Sequence, residues 1–487
     1  MNQTNGTNFD WLYQYGGESV IAGIPHWSGL LVESHGHVLN ASVDGEEISN
    51  FNASMDMKRG LKTWSYTWTP ADGPALNISY RMLVHKLYVN QAAVELSITP
   101  EADTNVTVID VFNGDCAVRS EFEDSGMESN TSQIWSAVRP HWIGNVTAFI
   151  YSTLAGDDSL DLSSRHRYTD ENFIGGNASS IAQSAMVSLT SGKTSVVSKF
   201  IGVASTEAFA DPRATALNAS NSAAASGFAA LLKANAEEWT EVMPPDSVDN
   251  FATDGSDALT KDINLVTLQI TAVTNPWNIL QNTVGANAIK NAGNNTRLDI
   301  WSIAVGGLGS SAYAGWIFWD AEIWMAPGIV VTNPQAAKQI ANYRRELFPQ
   351  AQANVNDSYQ GSTNETHFTP GGAAYPWISG KYGNCTAAGP CFDYEYHLNG
   401  DIGLELYNWY VATGDTETFK NDFFPIYDAV AHFFSELVHL NESTGQYELF
   451  NATDPVGFTL DSFWLSLIIV HRMSTPITLT IPPSPRH

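Results

Sequence analysis

The sequence predicts a β domain followed by a helical one: an N-terminal antiparallel β-sandwich, a helical linker, and an incomplete (α/α)6 barrel. Three observations carry this expectation. Over residues 8–221, short apolar or alternating runs are broken by Gly, Asn and Asp, with no helical period between them. At Ser222 the composition turns Ala- and Leu-rich with helical spacing. From residue 256 onward, helix-like segments are joined by loops, and helix pairs around one axis with their long loops at one end form such a barrel. Six pairs need on the order of 350 residues at 1.5 Å rise plus loops, and about 200 are available over residues 256–455, roughly half a barrel.

In the first domain, Val84–Ile98 (VHKLYVNQAAVELSI) and Val106–Phe112 (VTVIDVF) are the clearest strands. Many short strands without helices between them imply two packed antiparallel sheets. His35-Gly36-His37 has a metal-like spacing but no third ligand nearby, and it reads as a turn between strands. The linker, residues 222–255, opens with Ser222–Met243 (SAAASGFAALLKANAEEWTEVM), which Pro244-Pro245 ends. Helices are expected over Leu259–Thr274, Ser311–Ala326, Gln335–Phe348, Leu398–Thr413 and Thr416–Leu440. Residues 456–487 carry an apolar run and then a Pro-rich end without cap or amphipathic pattern. They are expected to lie outside the fold; a short buried helix is the other reading.

Composition bounds the function. A chain of 487 residues is too long for one ordinary core, and 44% apolar with 15% charged residues is a globular balance. The 15 Trp, 18 Tyr and 22 Phe offer flat faces enough to line a sugar-binding cleft as well as fill a core. A net charge of -28 argues against nucleic acid and anionic membranes as partners. No run of about twenty apolar residues is present to span a bilayer. N-glycosylation sequons number about sixteen, where chance gives roughly six. The excess points to a secretory route, in which Cys385 and Cys391 can form a disulfide. The N-terminal MNQTNGTNFDW has no apolar signal region, so the chain is expected to begin inside a longer precursor. Cys116 is left over and reads as a buried apolar residue.

Two stretches carry chemistry. In Gly371–Ile402, Cys385 and Cys391 close a small Gly-, Ala- and Pro-rich loop, and Tyr394-Glu395-Tyr396-His397 follows directly. A carboxyl among aromatic rings loses hydration, which favours its neutral form. Such a group can deliver a proton to a leaving oxygen, the general-acid role in glycoside cleavage. A buried glutamate paired with an arginine is the plainer reading of the same residues. In Phe318–Pro327 (FWDAEIWMAP), Asp320 and Glu322 lie about 200° apart on a helix, so both cannot enter one cleft. Trp319 offers a stacking face for a sugar and Asp320 an acceptor for its hydroxyls, while Glu322 reads as a surface charge and Trp324 as packing.

Taken in order, FWDAEIWMAPG (Phe318–Gly328), ANYRRELFPQAQANV (Ala341–Val355) and the run from Gly371 to Asp415 resemble the fungal acid trehalases of glycoside hydrolase family 65. Related maltose and kojibiose phosphorylases share similar Trp-Asp and Glu-x-His patterns. The resemblance implies that Glu395 is the general acid and that Trp319 and Asp320 contact the glucose in the −1 subsite. It places Tyr343-Arg344 and Tyr375-Pro376-Trp377 near the cleft. His397 and Asp401 are then an orienting pair behind the acid or a plain surface ion pair. The implied reaction is inverting hydrolysis of α,α-trehalose, a disaccharide, with no metal or organic cofactor. It needs two carboxyls roughly 6.5–9.5 Å apart.

The family's general base and a sugar-contacting Lys-Gln pair are expected further along, in the second half of the barrel. Lys338-Gln339 is not that pair and reads as a solvated helix face; Asp454 and Asp461 come too early to be the base. The chain is therefore expected to be a truncated form, inactive or poorly folded by itself, with an apolar face exposed. Two other readings stay open: a disaccharide phosphorylase of the same family, and a non-catalytic carbohydrate-binding protein.

Overall fold

Short runs of extended backbone form thirteen strands among the described residues of the N-terminal part, in the order β1 (His26–Ser34), β2 (His37–Leu39), β3 (Ile48–Asp56), β4 (Leu61–Trp68), β5 (Leu76–Val84), β6 (Gln91–Pro100), β7 (Thr104–Asn113), β8 (Ser120–Met127), β9 (Gln133–Pro140), β10 (Ala148–Gly156), β11 (Leu160–Tyr168), β12 (Ile181–Leu189) and β13 (Ser195–Ser205). The computed structural model describes residues 22–460 apart from 142–144, 249–250, 252–260, 307–314, 356–358, 361–364, 384–394, 450–451 and 454–458. The chain divides into two compact units, the first ending at Asp299 and the second beginning at Ile300.

In the first unit the strands form two antiparallel sheets, ordered β11-β12-β7-β1-β2 and β3-β4-β5-β6-β13-β10-β9-β8. This is the antiparallel sandwich expected from the alternating runs. Leu30, Val32, Trp68, Ile78, Leu96, Val106, Val108 and Val197 are buried together in its core. One ion pair is sealed in the same unit: Lys199 Nζ lies 2.6 Å from Asp110 Oδ1, and both side chains are fully buried. The ammonium also donates to the carbonyls of Gly29 and Val111, and Asp110 Oδ2 accepts from Ser152 and Gln183. Such a pair is tolerated only when its remaining hydrogen-bonding capacity is filled in this way.

His35 and Gly36 are the two central residues of the β1–β2 hairpin, with φ of 51° and 80°. Positive φ at both positions matches the right-handed twist of the strands, so the turn reading holds. Cys116 corrects an expectation. It ends a 3₁₀ turn (Gly114–Cys116) and is an exposed free thiol, because the turn places its side chain outward while Ala117 goes in.

After the single turn α1 (Glu171–Ile174), the long helix α2 (Pro212–Val242) starts upstream of the expected Ser222. Asp211 caps it by accepting from the Ala214 N–H, and Pro212 opens it, a strong start signal. Its first half lies against β13 and β10. Ser220 donates to the Phe200 carbonyl, and Gly202 meets the helix so closely that a Cβ there would sit 1.9 Å from the Ala216 carbonyl oxygen. Gly227, at φ 76°, breaks the helix without ending it. Helices α3 (Ile263–Leu280) and α4 (Ala286–Asn291) complete the unit. The Trp277 indole donates to the Met57 carbonyl and stacks on Trp239, and buried Lys86 donates to the carbonyls of Leu280 and Thr283. These contacts tie α3 to the strand domain.

The second unit is helical: α5 (Ala326–Ile329), α6 (Pro334–Asn354), α7 (His397–Thr413), α8 (Thr416–Thr418) and α9 (Phe424–Leu437). Helix α6 continues through Pro349, past the expected end at Phe348. Helix α7 stops at Gly414, whose left-handed φ of 64° closes the last turn. Phe368, Tyr396, Phe433 and Leu437 form a core cluster of this unit.

Candidate active site

The expected helix over Ser311–Ala326 is corrected by the backbone; its residues 307–314 lie outside those described. Ile317 pairs antiparallel with Ser379 through two hydrogen bonds of 2.9 and 3.0 Å, which holds Trp316–Phe318 out of a helix. Helical backbone starts at Asp320 and widens to a π-helix over Ala321–Met325 before α5. The cause is local. Pro327 has no N–H to give to the carbonyl four residues back, and the neighbouring Ala326 N–H bonds instead to Ala321, five residues back.

This wide turn sends Glu322 inward and Trp324 outward. Glu322 is 1% exposed, and the guanidinium of Arg344 on α6 holds it in a fork, Nε–Oε1 at 2.7 Å and Nη2–Oε2 at 3.2 Å. Arg344 also donates to Ser379 Oγ and to the Phe318 carbonyl. The expected surface charge is therefore a buried ion pair. Trp324, expected to pack, is 64% exposed beside the Trp319 ring at 5.8 Å. Asp320 is half-buried, and burial raises its pKa.

Tyr343, Arg344 and Tyr375 are fully buried. The Tyr343 hydroxyl donates to the Gly380 carbonyl, the Tyr375 hydroxyl to the Arg344 carbonyl, and the Tyr375 N–H to Asn399 Oδ1. Trp377 stands edge-on to Phe318 at 5.8 Å. Lys338 and Gln339 do not form a solvated face. The Gln339 amide is buried and donates to the Trp301 carbonyl, and the Lys338 ammonium lies over the Trp409 ring at 5.3 Å. Both sit where α6 meets its neighbours, which the amphipathic pattern alone did not reveal.

Glu395 directly precedes Tyr396 and the start of α7. Its Oε2 lies 3.1 Å from His397 Nε2, and His397 Nδ1 lies 2.7 Å from Asp401 Oδ2, one turn along the helix. Burial by itself lowers the imidazole, but the hydrogen bonds with Asp401 and Glu395 outweigh it and push His397 up to about 9. The imidazolium form of the ring is thus favoured by the Asp401 and Glu395 carboxyl groups on either side. Trp319 meets it edge-on, with ring centroids 5.7 Å apart at 83°. Trp319 and Glu395 therefore belong to one cluster, joined through His397. The expected ring-lined niche for Glu395 is not what this side of it shows. Tyr394, Cys385 and Cys391 lie outside the described residues, as do Asp454 and Asp461. Tyr396 turns into the core against Phe433 at 6.2 Å.

Further along the same helix, Glu405 is fully buried and neither carboxyl oxygen has a hydrogen-bond partner among the described residues. Burial, then the nearby Glu322, raise its pKa well above the ordinary value, with Arg344 opposing. Because the folded state holds this proton more tightly, its stabilising contribution is complete below the unfolded value of 4.5 and is lost as pH rises above it. Glu405→Gln should therefore flatten the fall in melting temperature between acid and neutral pH. An unchanged slope in calorimetry would contradict that.

Arg344 and Glu405 were legible in principle. Arg344 shares the apolar face Ile340, Leu347 and Ala351 of α6, and Glu405 the face Leu398, Ile402 and Trp409 of α7. A charged residue type on an apolar stripe announces either a buried partner, as Arg344 has in Glu322, or a group whose burial favours the neutral form, as at Glu405.

Comparison with known proteins places this geometry. The family description "Glycosyl hydrolase family 65, N-terminal domain" matches residues 3–242, and "Glycosyl hydrolase family 65 central catalytic domain" matches residues 287–472. The chain belongs to glycosyl hydrolase family 65. This family 65 chain is 46% identical over 455 residues to an acid trehalase of Emericella nidulans, covering 93% of the chain and 43% of that protein. It is also 46% identical over 453 residues to a cell wall acid trehalase of Arthroderma benhamiae, covering 93% and 42%. It thus spans less than half the length of these curated relatives. A putative kojibiose phosphorylase from the human microbiome superposes with a TM-score of 0.68 at 15% identity, over 90% of this chain and 52% of that one. That likeness supports the order of a β-sandwich followed by a helical domain.

Proposed function

We propose that the chain carries the acid-bearing part of an inverting α,α-trehalose hydrolase. The observation that supports this most is the line Glu395–His397–Asp401 standing against Trp319, with Asp320 next in the chain. A carboxyl, an indole face and a second carboxylate are what protonating and holding a glucoside requires. The relatives' names, acid trehalase and cell wall acid trehalase, supply the substrate and an extracellular or cell-wall setting. The sequon excess agrees with a secretory route.

In the proposed step, Glu395 gives its proton to the interglycosidic oxygen, and the bond from that oxygen to the attacked anomeric carbon breaks with its electron pair going to the oxygen. A water oxygen bonds to that carbon from the opposite face and loses a proton to a second carboxylate. One β-glucose and one α-glucose result. No residue described above is assigned as the second carboxylate. Trp319 is proposed to stack on the −1 glucose and Asp320 to accept from its hydroxyls. In isothermal titration calorimetry, Trp319→Ala should weaken trehalose binding by roughly tenfold, the loss of one good stacking contact. Undiminished binding would remove Trp319 from the subsite.

A further inference from the structure

We propose that His397, gripped by Asp401, is the positioning residue that decides which oxygen of Glu395 carries the transferable proton. This rests on the reading of Glu395 as the acid and deepens it.

Three side chains stand in line, each roughly four-fifths buried: Asp401 Oδ2 to His397 Nδ1 at 2.7 Å, then His397 Nε2 to Glu395 Oε2 at 3.1 Å. His397 and Asp401 both lie in the first turns of α7. A helix N-terminus is an unfavourable place for a cation, since its free N–H groups carry partial positive charge. An imidazolium there is supported by the two flanking carboxyl groups, that of Asp401 at 2.7 Å first, and a plain surface pair would gain little from the arrangement. The charged groups that face it are Glu395 from the preceding residues and Asp401 from its own helix. From the turn at Trp319–Met325 come the Trp319 ring edge and Glu322, which interacts with Asp401 and is itself neutralised by Arg344. The hydrogen bonds to both ring nitrogens hold the imidazole doubly protonated, with its proton retained up to about pH 9.

With both ring nitrogens donating, Oε2 of Glu395 is occupied as an acceptor. A proton on this carboxyl then resides on Oε1, the oxygen left to face a substrate. When that proton moves to a bridging oxygen, the negative charge that develops on the carboxylate is already hydrogen-bonded to a cation, and a solvent proton later returns to Oε1. Asp401 acts one step further back. It fixes the ring's orientation and keeps it charged, as second carboxylates do behind other functional histidines.

The test uses the 487-residue chain labelled with ¹³C at histidine Cε1, followed by NMR from acid to alkaline pH, with trehalose calorimetry on the same samples. The expected midpoint for His397 is about 9 in the unsubstituted chain. It should fall by roughly one unit or more in Asp401→Asn and, separately, in Glu395→Gln, since each removes one charged acceptor. Glu395 is partly exposed, so Glu395→Gln serves should Asp401→Asn fail to fold. A midpoint near the ordinary histidine value, or one that neither substitution moves, overturns the proposal. Calorimetry reports on the underlying reading separately. Absence of trehalose binding removes the sugar, whereas an unmoved His397 midpoint in a chain that binds trehalose removes the positioning role alone.

Discussion

Glu395→Gln is expected to lower kcat for α,α-trehalose by roughly 10²–10⁴-fold with KM nearly unchanged, the range for loss of a general acid. The measurement belongs in a chimera that joins this chain to the part of the Emericella nidulans acid trehalase lying beyond the matched region. Glutamine keeps the shape of the side chain and its acceptor oxygen toward His397 Nε2, now 3.1 Å from Glu395 Oε2. What it loses is the proton to give. Substrate contacts through Trp319 and Asp320 remain, so the loss falls on kcat. A comparable loss in KM with kcat held would mean that Glu395 only binds sugar. Unchanged turnover would mean that it does neither.

The second large effect is on stability. Arg344→Met should destabilise the helical unit by roughly 3–5 kcal/mol, because it strands Glu322 as an unpaired buried charge. That is a large part of the 5–15 kcal/mol typical of a whole domain. The side chains of both partners are fully buried and the fork is bidentate, so solvent does not soften the loss. Ser379 and the Phe318 carbonyl would each lose the contact that Arg344 makes with them. Replacing both partners at once, Glu322→Leu with Arg344→Met, should recover much of the difference, since two apolar residues leave no charge to solvate. Denaturant unfolding followed by circular dichroism measures both. A single-variant loss below about 1 kcal/mol, the worth of an exposed pair, would contradict the buried arrangement.

The sandwich was legible because a half-buried strand must alternate. Runs such as Val106–Phe112 lie inside β7 and could not be mistaken for helices. Helices α6 and α7 began within a residue of their expected starts because their apolar stripes are regular. The π-turn was not legible, since it follows from how Pro327 disturbs one hydrogen bond and not from any apolar period. Reading that turn as an ordinary helix left Glu322 on the surface. Glu395 was singled out by its neighbours in sequence, and of the two tyrosines beside it only Tyr396 lies among the described residues. Tyrosines on either side suggested a ring-lined pocket, whereas backbone direction sends Tyr396 into the core and brings His397 to the carboxyl. Adjacent residues on a chain point in different directions, so adjacency to Glu395 did not by itself place the Tyr396 ring against the carboxyl. The pair His397 and Asp401, by contrast, was visible from its spacing of four, because a helix stacks such residues on one face.

The central claim is that Glu395 supplies the proton that lets the bridging oxygen depart. α-Glucosyl fluoride tests it most directly, because fluoride leaves without being protonated. In the chimera, Glu395→Gln should hydrolyse α-glucosyl fluoride at close to the unsubstituted rate while trehalose hydrolysis collapses. If both substrates fall together, Glu395 is not the proton donor.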